Sequence, residues 1–333
     1  YKSFLVKNKK KPDIIKKIYK NFLRLKVKLM RKYFDFLFSN NEINLVIVWN
    51  GAHAVAHTAA SMARKNNCKT LFLEGGFFPD TIVMDEKGVN AKSSLMDNDA
   101  DFYNNINIEN RNINLINNID LEQRELRVTE ANKEGDEERD IALPDKYFFV
   151  PFQVSSDSQV IMNSPLIDDM YQLVDEVYAA LQFFNKKFNK NYWLVVKEHP
   201  SDYGRVNYND LKAKYKDENI LFLTKMSAEK LITLSEGVIT INSTVGLESL
   251  TKATPVITLG KAFYNIDGMV YHCNSLEKLP QKIHKAVNND FNYQLTNKFL
   301  YYLKNDYLVN LDRNHINYNN SKEFRLKIKR LLS

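Results

Sequence analysis

Short runs of Val, Ile, Leu and Phe alternate along this chain with stretches whose apolar positions recur every three or four residues. The runs at 43–49, 70–73, 144–154, 192–196, 220–224, 238–241 and 255–259 are near-continuous and read as strands buried on both faces. Between them, 54–65, 165–187, 228–235 and 244–253 have helical period, and the tail from 276 onward is helical in pattern. Ser164-Pro165 predicts the start of the 165–187 helix. Residues 104–118 are rich in Asn and Ile, and 122–139 are densely charged, which predicts a weak helix followed by a mobile loop. At the start, 7–38 alternates cations with Ile14, Ile15, Ile18, Phe22, Leu25, Leu29, Phe34 and Leu37. That spacing gives an apolar stripe with a basic opposite face, which serves equally a helix lying on an anionic membrane surface or one packed on its own domain.

The stretch 238–264, VITINSTVGLESLTKATPVITLGKAFY, organises the rest. Two β-branched runs joined by a helix are parallel, so the turn Asn242-Ser243-Thr244 sits at the carboxyl end of a strand, where open α/β sheets bind ligands. Ser243 and Thr244 can cap the helix while its N–H groups and dipole attract a phosphate. Glu248, one turn on, points back to the same mouth, where a carboxylate suits a ribose diol or a base amine. Taken alone, this turn is an ordinary helix cap. Polar groups recur, however, at other strand exits: Asn50-Gly51-Ala52-His53, Glu74-Gly75-Gly76, Ser155-Ser156-Asp157-Ser158 and Lys197-Glu198-His199-Pro200. The pattern predicts two Rossmann-like domains facing across a cleft, over residues 1–145 and 146–310, with a C-terminal helix at 311–333 packing back on the first.

Composition narrows the class. With 333 residues and 44% apolar content the chain can build two cores. Cys68 and Cys273 are its only cysteines, which fits a reducing compartment. No apolar run approaches the roughly 18 residues of a membrane span. The first residue is Tyr1, not Met, which suggests a fragment with more chain upstream. Net charge is +7, yet residues 1–38 hold thirteen Lys/Arg against Asp13 and Asp35, so the remainder is acidic. Nucleic-acid binders carry their charge over the binding domain, and no nucleic-acid partner is expected. Neither G-x-G-x-x-G nor G-x-x-x-x-G-K-[ST] is present, which disfavours dinucleotide enzymes and P-loop ATPases. His53 and His57 lie one helical turn apart without a third ligand at matching spacing, and no metal is expected.

Trp49-Asn50-Gly51, Leu73-Glu74-Gly75-Gly76-Phe77-Phe78-Pro79, Asp85-Glu86-Lys87-Gly88-Val89-Asn90, Gln153 with Asp157, Lys197-Glu198-His199-Pro200 and Asn242-Ser243-Thr244-Val245-Gly246-Leu247-Glu248 follow one another in that order. Together, over about residues 45–275, they resemble the bacterial capsule-type β-Kdo glycosyltransferases. The resemblance implies a GT-B fold and a CMP-β-Kdo donor whose Kdo is transferred with retention to a saccharide or glycolipid, in capsule or lipopolysaccharide synthesis. It also implies work in the cytoplasm at the inner-membrane face. In that reading His199, with Lys197 as a second cation and the turn Asn242-Ser243-Thr244, holds the single phosphate of CMP. Glu248 reads the ribose or cytosine. Asp157 is the nucleophile of a double displacement, Glu74 the general base toward the acceptor hydroxyl, and Asn50, Gly51, Gly75 and Gln153 line the acceptor or Kdo site. No cofactor or metal is implied. The alternatives are another CMP-nonulosonate transferase of sialyl type, a catalytically silent GT-B module binding an anionic glycan or lipid, and a UDP-sugar epimerase on the same architecture.

Overall fold

The computed structural model describes residues 12–108, 114–118, 141–288, 290–310 and 322–332. Backbone contacts divide the chain into two compact units, residues 1–98 with 302–333, and residues 99–301. The boundaries thus fall at 98/99 and 301/302, whereas the sequence pattern placed them at 145/146 and 310/311. The charged stretch 122–139, expected to form a mobile loop, lies outside the described residues.

The first unit begins with helix α1 (Asp13–Asn40), followed by strand β1 (Leu45–Trp49), helix α2 (Ala54–Lys65) and strands β2 (Lys69–Gly75) and β3 (Thr81–Asp85). Strand β1 pairs with β2 in parallel, whereas β2–β3 and β3 with a short C-terminal strand, Val309–Asn310, are antiparallel. A run of apolar residues does not reveal strand direction, so this mixed sheet corrects the expectation of a parallel first half. Strand β1 is also an edge strand, with Ile47 and Trp49 exposed and Val48 buried, not a strand covered on both faces. The C-terminal helix Lys322–Leu332 packs within this unit, its Phe324, Ile328 and Leu331 against Leu71, Ile82 and Met84.

Asp85, which opens the Asp-Glu-Lys-Gly motif, is the polar hub of the unit and is buried. Its Oδ1 accepts from the backbone N–H groups of Lys87 (2.7 Å) and Gly88 (3.1 Å). Its Oδ2 accepts from Ser94 N and Oγ, both at 2.7 Å, and from the Tyr307 hydroxyl at 3.0 Å. One carboxylate therefore ties β3, the turn after it and the returning C-terminal segment.

In the second unit, a short helix α3 (Ala100–Asn104) precedes a six-stranded parallel sheet. The order along the chain is β4 (Tyr147–Pro151), helices α4 (Ser158–Asn163) and α5 (Met170–Phe188), β5 (Trp193–Lys197), α6 (Asn209–Lys214), β6 (Ile220–Leu223), α7 (Ala228–Thr233), β7 (Gly237–Thr240), α8 (Thr244–Thr251), β8 (Val256–Thr258), β9 (Tyr271–His272), α9 (Leu279–Asn288) and α10 (Tyr293–Tyr302). Their spatial order is β6-β5-β4-β7-β8-β9. Counted from β4, that is the 3-2-1-4-5-6 order of a Rossmann sheet, with its switch point between β4 and β7. Alternate strand residues serve the two faces. Phe148, Val150, Leu194, Val196, Ile239 and Ile257 pack under α5 and α9, whereas Tyr147, Phe149, Val195 and Val238 pack under α7. Helix α5 begins at Met170, capped by Asp169, whose carboxylate accepts from Gln172 N. The cap expected at Ser164-Pro165 lies earlier because a separate helix, α4, had gone unread.

Replacing Asp85 with Ala leaves the buried Gly88 N–H and Tyr307 hydroxyl unpaired along with the part-buried donors of Lys87 and Ser94, and urea unfolding is expected to show a loss of about 3 kcal/mol. A loss below about 1 kcal/mol would show that water replaces the hub.

Candidate functional site

A cavity of about 390 Å³ opens at the carboxyl ends of the central strands of the second unit. Pro151 and Phe152 line it from the exit of β4, Lys197, Glu198, His199 and Pro200 from the exit of β5, and Ser243, Thr244, Val245, Glu248 and Lys252 from α8. Ser227, Ala228, Glu229 and Ile232 close it from α7.

The turn after β5 sets the imidazole. Pro200 starts a short 3₁₀ turn whose Ser201 N–H donates to His199 Nδ1 at 3.1 Å, and Asp202 N–H donates to the His199 carbonyl at 2.8 Å. An Nδ1 that accepts leaves the proton on Nε2, so the ring presents an N–H donor. Burial and then the neighbouring Lys197 push the His199 pKa below its ordinary value, opposed by Asp202 and Asp157. His199 is therefore a neutral hydrogen-bond donor near pH 7, and Lys197 is the cation of the pair. The neighbouring Glu198 is buried and bridged by Lys212 at 2.6 Å.

Across the switch point, Ser243 caps α8 through Oγ, which accepts from Val245 N at 3.2 Å. The Ser243 carbonyl accepts from the Tyr264 hydroxyl, and Tyr264 is wholly buried, its pKa pushed up by burial. That contact explains Gly246: a Cβ there would stand 2.4 Å from the Tyr264 oxygen.

Gln153 and Asn242 do not line the cavity. Gln153 Nε2 donates to Asn242 Oδ1 at 2.9 Å, while Gln153 Oε1 accepts from Asn242 N at 3.2 Å and Thr240 Oγ1 at 3.3 Å. Asn242 Nδ2 donates to the carbonyls of Gln159 and Asn163 at 3.1 and 3.3 Å. The two side chains lock the exits of β4 and β7 together; the amides expected to touch sugar and nucleotide are spent on the scaffold.

Asp157 is exposed at the N-terminus of α4, where Oδ1 accepts from Gln159 N at 2.7 Å. It is not part of the cavity lining, yet it is close enough to His199 to act on that imidazole's charge.

In the first unit, Asn50 adopts a left-handed backbone at φ 59° and Gly51 follows at φ 74°. A side chain on Gly51 would also run into the Phe72 ring at 2.6 Å. Asn50 Nδ2 donates to Glu74 Oε2, and the Gly75 N–H donates to Glu74 Oε1 at 3.1 Å. Glu74, Asn50 and Gly75 thus form one cluster at the exits of β1 and β2. Among the described residues, no group of three or more His, Cys, Asp or Glu side chains is arranged to hold a metal.

Residues 110–304, more than half of the chain, match the model of a family described as "Capsule polysaccharide biosynthesis protein". The chain belongs to that family. It is 31% identical over 236 residues to Protein FixF of Sinorhizobium fredii, covering 71% of this chain and 53% of FixF. It is 32% identical over 134 residues to the capsule polysaccharide export protein KpsS of Escherichia coli, covering 39% of this chain and 33% of KpsS. The chain thus spans about half of one curated relative and a third of the other. Among solved structures it is similar to Thermosulfurimonas dismutans KpsC, a β-Kdo 2,7 transferase, at 18% identity and TM-score 0.48, covering 80% of this chain and 79% of that one.

The family match spans every residue lining the cavity. Sequence reading missed the wall made by α7 and the end of α8, where Lys252 pairs with Glu229. Its one legible signal was Ser227, which caps α7 by accepting from Lys230 N. Tyr264 gave no signal, because a buried tyrosine looks like any core aromatic until its hydroxyl partner is known.

Gly246→Ala is expected to cost about 1–3 kcal/mol. Combining it with Tyr264→Phe should cost less than the sum of the single losses, a non-additivity readable by denaturant titration. His199 makes stability depend on pH. Its folded pKa lies below 6.5, so the unfolded chain takes up the proton first as pH falls, and stability present above 6.5 is lost through the window below it. Melting curves from pH 7.5 to 5.5 should fall less steeply for His199→Gln than for the unsubstituted protein; identical slopes would place the ring outside that burial.

Proposed function

We propose that this protein is a retaining β-Kdo transferase that takes Kdo from CMP-β-Kdo to a saccharide or glycolipid in capsule or lipopolysaccharide synthesis. The observation that carries the reading is the convergence on one cavity of three kinds of phosphate partner: the His199 turn, the Lys197 ammonium and the N-terminus of α8 at Ser243 and Thr244. An imidazole donor, a cation and a helix end suit the single phosphate of a cytidine monophosphate ester, and the Ser227-capped start of α7 and Lys252, which pairs with Glu229, lie on the same walls. Glu248 lines the same cavity, placed to accept from the ribose diol or the cytosine amine.

In the first step, the Asp157 carboxylate forms a bond to the anomeric carbon of Kdo as the bond from that carbon to the phosphate oxygen breaks. CMP leaves with the electron pair, its new charge met by Lys197, His199 Nε2–H and the helix dipole. In the second, the acceptor hydroxyl attacks the same carbon, its proton passes to a base, and the bond to Asp157 breaks to restore the carboxylate. Two inversions give net retention. Glu74 is the residue proposed as base, oriented by Asn50. Asn242 and Gln153 act from behind, holding the β7 exit in register with β4.

Intact-mass spectrometry after incubation with CMP-Kdo tests the scheme. A Kdo-sized adduct on Asp157 is expected, accumulating further in Glu74→Gln, and Asp157→Ala should lose at least about a thousandfold in turnover while still binding CMP. Turnover of CMP-sialic acid alone, protection by UDP alone, or an Asp157→Ala protein with full activity would refute it.

A further inference from the structure

Helix α1 is apolar on two sides. Leu23, Val27, Met30, Phe34 and Leu37 are half-buried on one of them, and α1 packs along α2, with Asp35 bridged to Lys65 at 3.1 Å. On the other side Ile14, Ile18, Phe22, Leu25, Leu29 and Phe36 lie at successive spacings of three, four or seven residues, a straight row about 33 Å long at 1.5 Å per residue. Their exposures are 64, 62, 58, 56, 57 and 63%. No residue of α1 is buried. An ordinary packed helix hides its apolar stripe and shows its charges, whereas this one hides a first stripe and shows a second.

We infer that this outer row is a docking surface for an anionic lipid bilayer, with α1 lying in the plane of the headgroups. Charge selects the occupant. Between residues 13 and 40 there are eight Lys/Arg against Asp13 and Asp35; Lys28 and Lys32 lie beside the row, and Lys17, Arg24 and Arg31 follow further round the same flank of the helix. A second copy docking row to row would bring those cations against their own kind, and an anionic headgroup layer would neutralise them. The helix is not long and apolar enough to cross a membrane. Its apolar row can sink to the acyl boundary while the lysine and arginine stems reach back to the phosphates. The sequence alone left membrane contact and packing on the domain as rivals; the structure assigns one to each side of the same helix. The inference is independent of the donor chemistry proposed above.

The test is co-sedimentation of the full chain with vesicles of neutral phosphatidylcholine and of phosphatidylcholine containing roughly 30% phosphatidylglycerol. Partitioning is expected to be at least about tenfold stronger on the anionic vesicles and to weaken as salt is raised. Phe22→Glu with Leu29→Glu should weaken it more than about tenfold with an unchanged melting curve. The milder pair Arg24→Gln with Lys28→Gln, which leaves the apolar row intact, should weaken it and flatten the salt dependence. Equal binding to both vesicles, no binding, or substituted proteins that bind as the original does would each overturn the inference. So would a dimer in solution that the Phe22 and Leu29 substitutions dissociate, since that would make a second copy the occupant.

Discussion

The candidate site depends on the amide latch between Gln153 and Asn242. A parallel sheet holds its strands together by backbone bonds, but these end where the strands end, and at a switch point the two central chains diverge to opposite faces. Here the divergence is restrained by side chains: one glutamine amide donates to Asn242 and accepts both from its backbone and from Thr240, and Asn242 in turn reaches the carbonyls of α4. Gln153 and Thr240 are buried and Asn242 is half-buried, and such a network is worth more than its separate bonds because its buried polar atoms would otherwise be stranded. The N-terminus of α8 is thereby fixed relative to the exits of β4 and β5, and a helix dipole can act on a phosphate only if the two are held in register.

Around that latch, roles divide by depth. Gly246 and Tyr264 settle α8 onto the sheet, Pro200 and Ser201 set the tautomer of His199, and Lys212 holds Glu198 aside. The cavity lining holds Lys197, the His199 imidazole and the starts of α7 and α8, together with Glu248 and the Lys252–Glu229 pair. A neutral histidine between a lysine and a dipole is a chemically coherent choice. It adds a donor without adding a charge that Lys197 would have to repel, and it can gain a proton when an anion arrives.

Much of this was legible in the sequence, for identifiable reasons. Strands β4, β7 and β8 are fully buried and β5 is buried along its middle, so their apolar runs are unmistakable, and Ser243, Lys197 and His199 lie at or just beyond the strand ends. Legibility failed where meaning depends on partners far away in the chain. Gln153 and Asn242 stood as ligand contacts on the strength of the family resemblance; nothing local says that they face each other across 89 positions. Asp85 belongs to a motif of the family resemblance that carried no assigned role, and its carboxylate proves to organise a turn and the C-terminal segment. The antiparallel β3 was missed because a strand of a mixed sheet has no helix before it to announce it. Helix α1 was read as amphipathic, and only the fold shows that it has two apolar sides.

The central claim is that the exits of β4, β5 and β7 cradle the phosphate of a cytidine monophosphate. Calorimetric titration of CMP at pH 7.5, in two buffers of different ionisation enthalpy, tests it most directly. Saturable binding accompanied by proton uptake is expected, as the bound anion offsets the burial and the Lys197 charge that hold the His199 pKa down, and His199→Gln is expected to abolish the uptake. No binding of CMP, or proton uptake unchanged in His199→Gln, would contradict it.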